Sequence, residues 1–315
     1  LYNFKMTNFI VTTTINPETY ALKKYSKIKN WKLIVVGDKK TPHNSYKKNK
    51  KIIYLSPRDQ EKIDKKLSDL IGWNCIARRN FGYILASKLG AQLIASVDDD
   101  NIPYKNWGMQ NYLNRNIEVD FYRSNQLVFD PLSIFKFDEK IWHRGFPLDL
   151  ISVKNNVSKI KKKICFDVQA NLWNLNPDID AIRRMSLIKK ESFYFKNVKP
   201  YTSNRILPFN SQNTIITKDA INDYFMFPGI GRMEDIWAAY YLQSLGRKVV
   251  FAEPTVYQKR NQHNLQKDFL NEIIGYQNNM NLIKDLLKNP NLIKKYLSQR
   301  SYDSFLRYQK VIKKR

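Results

Sequence analysis

The sequence predicts an α/β protein with a largely parallel sheet, because strand-like and helix-like segments alternate along its first hundred residues. Short runs of apolar and β-branched residues end in polar or turn residues at 9–16, 31–40 and 51–56. The segment between the first two runs, 17–29, has apolar residues at helical spacing and predicts a crossover helix. In such a fold, ligands bind at the carboxyl ends of the strands.

The later segments continue this alternation less regularly. Helical spacing extends over 64–92, and the apolar run at 93–97 predicts a fourth strand. Beyond residue 120 aromatic residues become frequent and the pattern is irregular, which predicts loops that contact an acceptor. Further strands are predicted at 120–129, 214–220 and 248–258, and a helix at 233–246 that Gly246 ends.

The chain beyond residue 265 reads as helical. We therefore predict a catalytic domain at 6–264 and a basic helical C-terminal extension at 265–315. The apolar stripe expected on the first of these helices consists of Phe269, Ile273, Met280, Ile283 and Leu287. Segment 291–315 carries eight lysines or arginines and one aspartate, so it either contacts an anionic membrane or packs on the domain with a solvated basic face.

The composition is strongly basic. Lysine and arginine exceed aspartate and glutamate by 54 − 28 = 26, which favours an anionic partner such as a phosphorylated substrate, an anionic membrane or nucleic acid. A lysine-, asparagine- and isoleucine-rich proteome would produce the same excess. We expect no nucleic acid, because the chain has no familiar RNA- or DNA-binding motif.

Two cysteines, Cys75 and Cys165, lie far apart and match neither a zinc site nor a disulfide framework. The apolar runs are strand-sized, and the first residues do not read as a signal peptide, so we expect none. These features predict a cytoplasmic protein, with peripheral contact to the inner membrane face as an option.

Three consecutive carboxylates, Asp98, Asp99 and Asp100, follow the fourth predicted strand. Aspartate often caps a turn, but three adjacent carboxylates repel one another unless a cation or several donors offset their charge. In an extended segment Asp98 and Asp100 project to the same side, and such oxygen ligands suit Mn²⁺ or Mg²⁺. This D-x-D pattern occurs in enzymes that use nucleotide sugars.

Six motifs occur in an order that resembles a known family. They are IARRNFGY, SVDDDN, HRGFPLDL, NLWNLNPDIDA, PFNSQNTIITKDA and GRMEDIWAAYYLQ. Their order is similar to that of the plant reversibly glycosylated polypeptides, which are UDP-arabinopyranose mutases, and to the STELLO-type glycosyltransferase domain. The resemblance runs from about residue 9 to 260. It implies a GT-A glycosyltransferase fold, with a Rossmann-like mixed sheet flanked by helices, that binds a UDP-sugar with a divalent metal.

The resemblance implies roles for the residues around the first strands. Asp98 and Asp100 match the metal-binding carboxylates, and Asp99 between them would contact the sugar or ribose. Arg79 matches the arginine ahead of this strand, where a guanidinium can pair with the diphosphate. A solvated helix arginine is the alternative.

The nucleobase is expected at the ends of the first two strands. Asp38 occupies the position that reads the base in this fold, although an aspartate in a turn would look the same. Thr13 and Thr14 are further candidates for this pocket.

Arg144 aligns with the arginine that becomes reversibly glycosylated in the mutases. The family pattern has a second arginine seven positions later, where this chain has Ile151. This difference argues against mutase activity and leaves Arg144 as a residue that binds phosphate or the transferred sugar.

Glu234 and Asp235 begin a predicted helix, where carboxylates are favoured as N-terminal caps. In many inverting GT-A enzymes an acidic residue here is the general base that deprotonates the acceptor. Asp235 is the first choice for this role, and Glu234 is expected to face away.

A late histidine completes the metal site in many GT-A enzymes. Here Gln258 aligns with it, and His263 follows five residues later in what otherwise reads as a surface loop. Lys259 and Arg260 between them are expected to balance phosphate charge.

Together these features predict a metal-dependent glycosyltransferase that uses a nucleotide-sugar donor and a glycan or lipid-linked acceptor. A UDP-sugar mutase and a polyanion-binding protein are the alternatives.

Overall fold

The computed structural model describes residues 7–46, 48–187, 192–258 and 264–314, and these form a single mixed sheet with surrounding helices. The strands are β1 (Asn8–Thr14), β2 (Trp31–Gly37), β3 (Ile52–Leu55), β4 (Leu93–Val97), β5 (Asn101–Pro103), β6 (Asn116–Ser124), β7 (Val157–Cys165), β8 (Val168–Leu175), β9 (Tyr201–Ser203), β10 (Asn213–Thr217) and β11 (Val249–Gln258). The helices are α1 (Tyr20–Tyr25), α2 (Pro57–Ile71), α3 (Arg79–Lys88), α4 (Ala181–Ser186), α5 (Lys218–Ile221), α6 (Glu234–Ser244), α7 (Leu265–Lys288) and α8 (Gln299–Ile312).

The strand order places several carboxyl ends at one edge of the sheet. The order is β3-β2-β1-β4-β10-β8-β11-β9-β6-β7, with β5 paired to β11. β3, β2, β1 and β4 are parallel, whereas β10 runs antiparallel to both β4 and β8. β11 is parallel to β8 and therefore runs in the same direction as β4. This architecture confirms the predicted α/β class and is consistent with a Rossmann-like glycosyltransferase fold.

Apolar side chains hold the centre of the sheet and fix the position of α3. Every residue of β4 and β10 is buried. α3 packs on β1 and β2 at Gly82, where a Cβ atom would lie 2.3 Å from Cγ1 of Val11. This close approach needs glycine and sets the first residue of α3, Arg79, near the end of β4.

Two sequence predictions about the elements were wrong. The helical segment 64–92 is divided at Gly72, whose φ of +78° ends α2, and a 3₁₀ turn at Ile76–Arg78 precedes α3. β8 was not predicted, although it pairs with both β10 and β11 inside the sheet. Its run of eight residues is buried on both faces, so it lacks the alternation by which a half-exposed strand is recognised.

β7 is the last strand in the sheet order. Among the described strands it pairs with β6 alone, and most of its side chains are exposed. Its lysines are Lys159, Lys161, Lys162 and Lys163. Lys161 Nζ lies 2.6 Å from a carboxylate oxygen of Asp120 on β6, so part of this charge is paired across the hairpin.

The buried face of α7 differs from the predicted apolar stripe. Of the five stripe residues only Ile283 is buried, and Leu287 is half exposed. Instead, Glu272 binds Arg232, and Asn279 accepts a hydrogen bond of 2.8 Å from the indole of Trp237. The prediction failed because polar residues with specific partners were assigned to the solvent side.

The last helix, α8, packs on α2 and α3. Phe305 is buried among the rings of Phe225, Phe227 and Tyr241, at centroid distances of 5.7, 5.4 and 5.1 Å. Arg307 binds Asp64 at 2.6 Å, where α2 is kinked. The structure therefore favours a helix packed on the domain, and Phe305 is not available for the expected membrane face.

The C-terminal helices share the core of the α/β part. Leu282, Ile283, Phe305 and Tyr308 belong to the same buried cluster as the sheet residues. The boundary predicted at residue 264 stays a prediction, as does membrane contact. Among the described residues, no helix combines the length and the apolar character needed to cross a bilayer.

We expect Phe305→Ala to lower the free energy of unfolding by about 3–5 kcal/mol, because it leaves a cavity in an aromatic cluster. Leu306→Ala, at the neighbouring position with a side chain that is 38% exposed, should change it by less than about 1 kcal/mol. Urea unfolding of both variants measures the difference. Equal effects would show that α8 does not contribute to the core.

Candidate functional site

A cavity of about 370 Å³ lies at the carboxyl edge of the sheet, where β4 and β11 end. We call it the acidic cavity. Its lining residues are Asn74, Cys75, Ile76, Asp98, Asp100, Arg144, Asp178, Ser211, Gln212, Gly231, Arg232, Glu234, Asp235, Gln258 and Asn271. Five of these residues are aspartate or glutamate and two are arginine, so the cavity is acidic although the chain is strongly basic.

Arg79 positions the first aspartate of the triplet. Its Nη2 lies 2.7 Å from Oδ1 of Asp98, and its Nη1 donates to the hydroxyls of Ser96 and Ser211. Burial alone would lower the pKa of Arg79, but the charge of Asp98 raises it above the ordinary value. The alternative of a solvated helix arginine is wrong, because Arg79 is 2% exposed. It lies behind Asp98 and is not among the residues that line the cavity.

Asp100 and Gln258 meet across the strand pair β5–β11. Gln258 Nε2 donates to Oδ2 of Asp100 at 3.2 Å. Within the described residues, the buried Oε1 of Gln258 has no hydrogen-bond partner. Gln258 therefore lies beside a D-x-D carboxylate, and its predicted contact with the metal ion or pyrophosphate stays a prediction.

The donor set of this corner fits a hard divalent cation. Asp98, Asp100 and Gln258 offer carboxylate and amide oxygens, which are the ligands that Mg²⁺ and Mn²⁺ prefer. The described residues contain no cluster of three or more histidine, cysteine, aspartate or glutamate side chains placed to hold a metal. An ion here would therefore depend on phosphate oxygens of a bound substrate, as Mg²⁺ commonly does.

Asp99 turns away from the acidic cavity toward β1. Its carboxylate accepts hydrogen bonds from the hydroxyl of Thr14 and from Nδ2 of Asn16, and Thr19 donates to its carbonyl oxygen at 2.6 Å. These hydrogen bonds connect the aspartate triplet to the end of β1 and to the residues that follow it. The predicted contact of Asp99 with sugar or ribose stays a prediction.

Two of the residues predicted to contact the nucleobase, Thr13 and Asp38, form hydrogen bonds with backbone groups. Thr13 donates to the carbonyl of Val36, and Asp38 accepts from the amides of Lys39 and Asn74 at 2.6 and 2.8 Å. Asp38 therefore shapes its own turn and links it to the loop before α3. Thr13, Thr14 and Asp38 do not line the acidic cavity, and their predicted base contacts stay predictions.

Arg144 is buried between two aspartates. Its Nε donates to Asp178 at 3.0–3.1 Å, and its two terminal nitrogens donate to Asp235 at 3.1 and 3.2 Å. Nη1 also donates to the carbonyl of Arg232. The next residue, Gly145, has a φ of +94° and leaves no room for a Cβ atom, which would lie 2.4 Å from Ile236 on α6.

A continuous set of charge-assisted hydrogen bonds joins Arg144 to the aspartate triplet. Asp235 Oδ2 accepts from the amide and hydroxyl of Ser211 at 3.0 and 3.1 Å. The carbonyl of Ser211 in turn accepts from Nη1 of Arg79 at 3.0 Å, and Arg79 binds Asp98. The two acidic regions predicted separately from the sequence are therefore one connected site.

The two acidic residues at the start of α6, Glu234 and Asp235, have pKa values that are shifted in opposite directions. Burial would raise the pKa of Asp235, but the charge and hydrogen bonds of Arg144 hold it below its ordinary value. Burial raises the pKa of Glu234 to about 8, although the amides of Ala77 and Gly229 donate to its carboxylate. Both residues line the acidic cavity, and the expectation that Glu234 faces away from the acceptor stays a prediction.

Sequence reasoning missed Asp178 and Ser211 as site residues. Both lie in the motifs NLWNLNPDIDA and PFNSQNTIITKDA, which carried the family resemblance without a role for either residue. Asp178 is also bound by Nδ2 of Asn210 at 2.7 Å. The predicted Lys259, Arg260 and His263 lie outside the described residues.

Comparison with known proteins gives distant relatives. The chain is similar to two proteins of Arabidopsis thaliana named "Probable glycosyltransferase STELLO1" and "Probable glycosyltransferase STELLO2", with 23% identity over 285 and 290 residues. Each comparison covers 81% of this chain and 36% of the relative, so the chain spans about a third of the length of the proteins it matches. No family model matches the chain.

These similarities support the STELLO-type half of the resemblance found in the sequence. Neither relative is named as a mutase.

We expect the Glu234→Gln variant to gain stability relative to the wild type as the pH rises. The folded protein keeps the Glu234 proton up to a pKa of about 8, whereas an unfolded glutamate loses it near about pH 4.3. The unfolded state therefore binds fewer protons in this interval, and wild-type stability falls with pH.

The measurement is the Tm of the variant minus that of the wild type, which should increase between about pH 5 and 8 and then level off. Glu118→Gln, at an exposed position on β6, should show no such trend. A difference that stays constant with pH would contradict the raised pKa.

Proposed function

We propose that this chain is the catalytic domain of a metal-dependent glycosyltransferase, which transfers a sugar from a nucleotide sugar, with UDP as the expected nucleotide, to an acceptor hydroxyl. The observation that carries the proposal is that Asp98 and Asp100 line the same cavity as the Glu234–Asp235 pair. The position of this cavity at the carboxyl ends of the strands supports it. The names of the two relatives agree with the reaction class.

Asp98, Asp100 and Gln258 would hold Mn²⁺ or Mg²⁺ together with the diphosphate of the donor. When bound, such an ion supplies positive charge that stabilises the departing nucleotide diphosphate. Arg79 would orient Asp98 through the contact at 2.7 Å between Nη2 of Arg79 and Oδ1 of Asp98. The role that we propose for Arg79 is thus support of Asp98, and its predicted pairing with the diphosphate stays a prediction.

Asp235 is proposed as the general base. A base must be ionised to accept the acceptor proton, and of the two neighbouring carboxylic acids Asp235 has the lowered pKa. Glu234, with a pKa of about 8, keeps its proton at neutral pH. Environments that separate the pKa values of two adjacent carboxyls commonly divide their roles in this way.

In the transfer step, the acceptor oxygen forms a bond to the anomeric carbon while the bond from that carbon to the diphosphate oxygen breaks. The proton of the acceptor hydroxyl moves to the carboxylate of Asp235, and the electron pair of the broken bond leaves with the nucleotide. Arg144 positions Asp235 for this step, because its two terminal nitrogens donate to the carboxylate of Asp235. Asp178 in turn holds Arg144 by accepting from its Nε.

The acceptor is proposed to be a glycan or a lipid-linked sugar, as expected from the sequence. An anionic membrane near a lipid-linked acceptor would attract the basic surface of the chain.

A mutase has less support. That activity would need Arg144 as a site of glycosylation, yet its nitrogens are occupied by Asp178, Asp235 and the carbonyl of Arg232. Ile151 stands where the mutase pattern has its second arginine.

We expect Asp100→Asn and Asp98→Asn to lower UDP affinity in the presence of Mn²⁺ by at least about tenfold, because each removes one negative metal ligand. Isothermal titration calorimetry with and without Mn²⁺ checks this. Asp99→Asn is the matched control. It removes the same charge at the neighbouring position, but its UDP affinity should still depend on Mn²⁺. Unchanged dependence on Mn²⁺ in both D98N and D100N would remove the metal from this site.

Asp235→Asn should lower kcat by at least about 10²-fold while UDP affinity stays within a few-fold, as expected for loss of a positioned base. Because the pKa of Asp235 is lowered, the wild-type kcat should stay level from about pH 8 down to about pH 5. A kcat that instead rises with a midpoint near the Glu234 pKa of about 8, together with the same loss in Glu234→Gln, would assign the base to Glu234.

A further inference from the structure

A second cavity lies at the opposite, amino-terminal edge of the sheet, where β1 and β2 begin. It has a volume of about 790 Å³, within the range of ligand pockets of about 300–1,000 Å³. We call it the lysine–tryptophan cleft. Its lining residues are Asn8, Lys24, Lys27, Ile28, Lys29, Asn30, Trp31, Pro103, Tyr104, Lys105, Trp107, Gly108 and Met109.

The charge of the lysine–tryptophan cleft is of one sign. Four lysines line it and no aspartate or glutamate does. Within the described residues, none of these lysines forms an ion pair, although Lys24 lies 5.0 Å from the ring centre of Tyr20. A cavity lined by lysines and by no carboxylate attracts an anionic ligand.

Aromatic side chains form the other half of the lysine–tryptophan cleft. Trp31 is half-buried and meets Trp107 edge to face, at a centroid distance of 5.1 Å. The indole of Trp107 is itself fixed by a hydrogen bond of 3.1 Å to Asn213. Trp31 therefore has a rigid support, and its ring can pack against the C–H face of a sugar.

Gly108 lies close to the polar edge of the Trp31 ring. Its φ is +73°, and a Cβ atom there would lie 2.9 Å from Nε1 of Trp31. Asn8 and Asn30 also line the cleft, and their side-chain amides are groups that can donate to hydroxyl or sulfate oxygens. An apolar platform with a fringe of donors suits a sugar better than a purely apolar or purely ionic ligand.

We propose that the lysine–tryptophan cleft binds a negatively charged glycan segment. The choice of a glycan among anionic ligands rests on the proposed glycosyltransferase function. Single-stranded nucleic acid is also bound by lysines and aromatic rings, but it needs successive platforms for successive bases. Here Trp107 is buried, and Tyr104, the other half-buried ring of the lining, packs against Tyr257 at a centroid distance of 5.4 Å, so Trp31 is the platform.

The lysine–tryptophan cleft is separate from the acidic cavity, and the short strand β5 connects a lining residue of one to a lining residue of the other. β1 has seven residues, so the two edges of the sheet are about 20 Å apart. β5 begins directly after Asp100, and Tyr104 follows its last residue and donates its amide to the carbonyl of Thr255. A glycan in the cleft would hold a growing acceptor chain at a distance from the site of transfer.

The test is calorimetric titration of the full chain, without nucleotide, with a sulfated hexasaccharide, its unsulfated form, inorganic polyphosphate and a single-stranded oligonucleotide. The sulfated hexasaccharide should bind at least about tenfold more tightly than the other three ligands, because only it supplies both sugar rings and charge. Polyphosphate or the oligonucleotide binding as tightly would overturn the proposal.

Variants locate the binding. Trp31→Ala should weaken the sulfated hexasaccharide about tenfold and Trp31→Phe less, whereas the pair Lys27→Gln and Lys29→Gln should weaken it about fivefold. The matched control is the pair Lys162→Gln and Lys163→Gln on β7, which removes the same charge elsewhere and should change affinity less than about twofold. An equal loss in the control would show binding by overall charge and reject the site.

Binding of UDP with Mn²⁺ by the same variants separates the two proposals. It should be unchanged, because the acidic cavity lies at the other edge of the sheet. If the wild type binds the glycan as expected but shows no Mn²⁺-dependent UDP binding, the lysine–tryptophan cleft stands and the transferase proposal fails.

Discussion

The buried guanidinium of Arg144 is the interaction on which the site depends. It lies between two aspartates from different parts of the chain, and a buried charge is tolerated only when partners of opposite charge surround it. Through Asp235 and Ser211 the same hydrogen bonds reach Arg79 and then Asp98. The carboxylates of the acidic cavity are therefore ordered by two buried guanidinium groups, that of Arg144 in the cavity lining and that of Arg79 behind Asp98.

The sequence predicted the fold class and the edge of the sheet that carries the site, because the first four parallel strands have strong periodic signals. It did not predict β8, since a strand buried on both faces has no alternation of polar and apolar residues. The buried face of α7 is also displaced from the predicted apolar stripe, with which it shares Ile283. That face includes Glu272 and Asn279, which hydropathy assigns to solvent and which only their partners Arg232 and Trp237 make compatible with burial.

Residues of the candidate site were predicted from the sequence where motif and position agreed. Asp98, Asp100 and Gln258 come together in one cavity, as expected from their places at strand ends. The partners of Arg79 could not be predicted, because a helix arginine gives no sign in sequence of whether it faces solvent or the carboxylate of a neighbouring strand. Asp178 was missed for a similar reason: its role depends on Arg144, thirty-four residues away in the chain.

The lysines of β7 have a consequence for assembly. A strand at the end of a sheet presents unpaired amide and carbonyl groups to other molecules, and an extended apolar edge is a common start of fibril growth. If two copies met along β7, four lysines from each would face one another across adjacent strands, and Asp120 would pair with only part of that charge. Mutual repulsion at this edge keeps an eleven-stranded sheet from extending into a polymer, so the basic character of the chain also protects its colloidal stability.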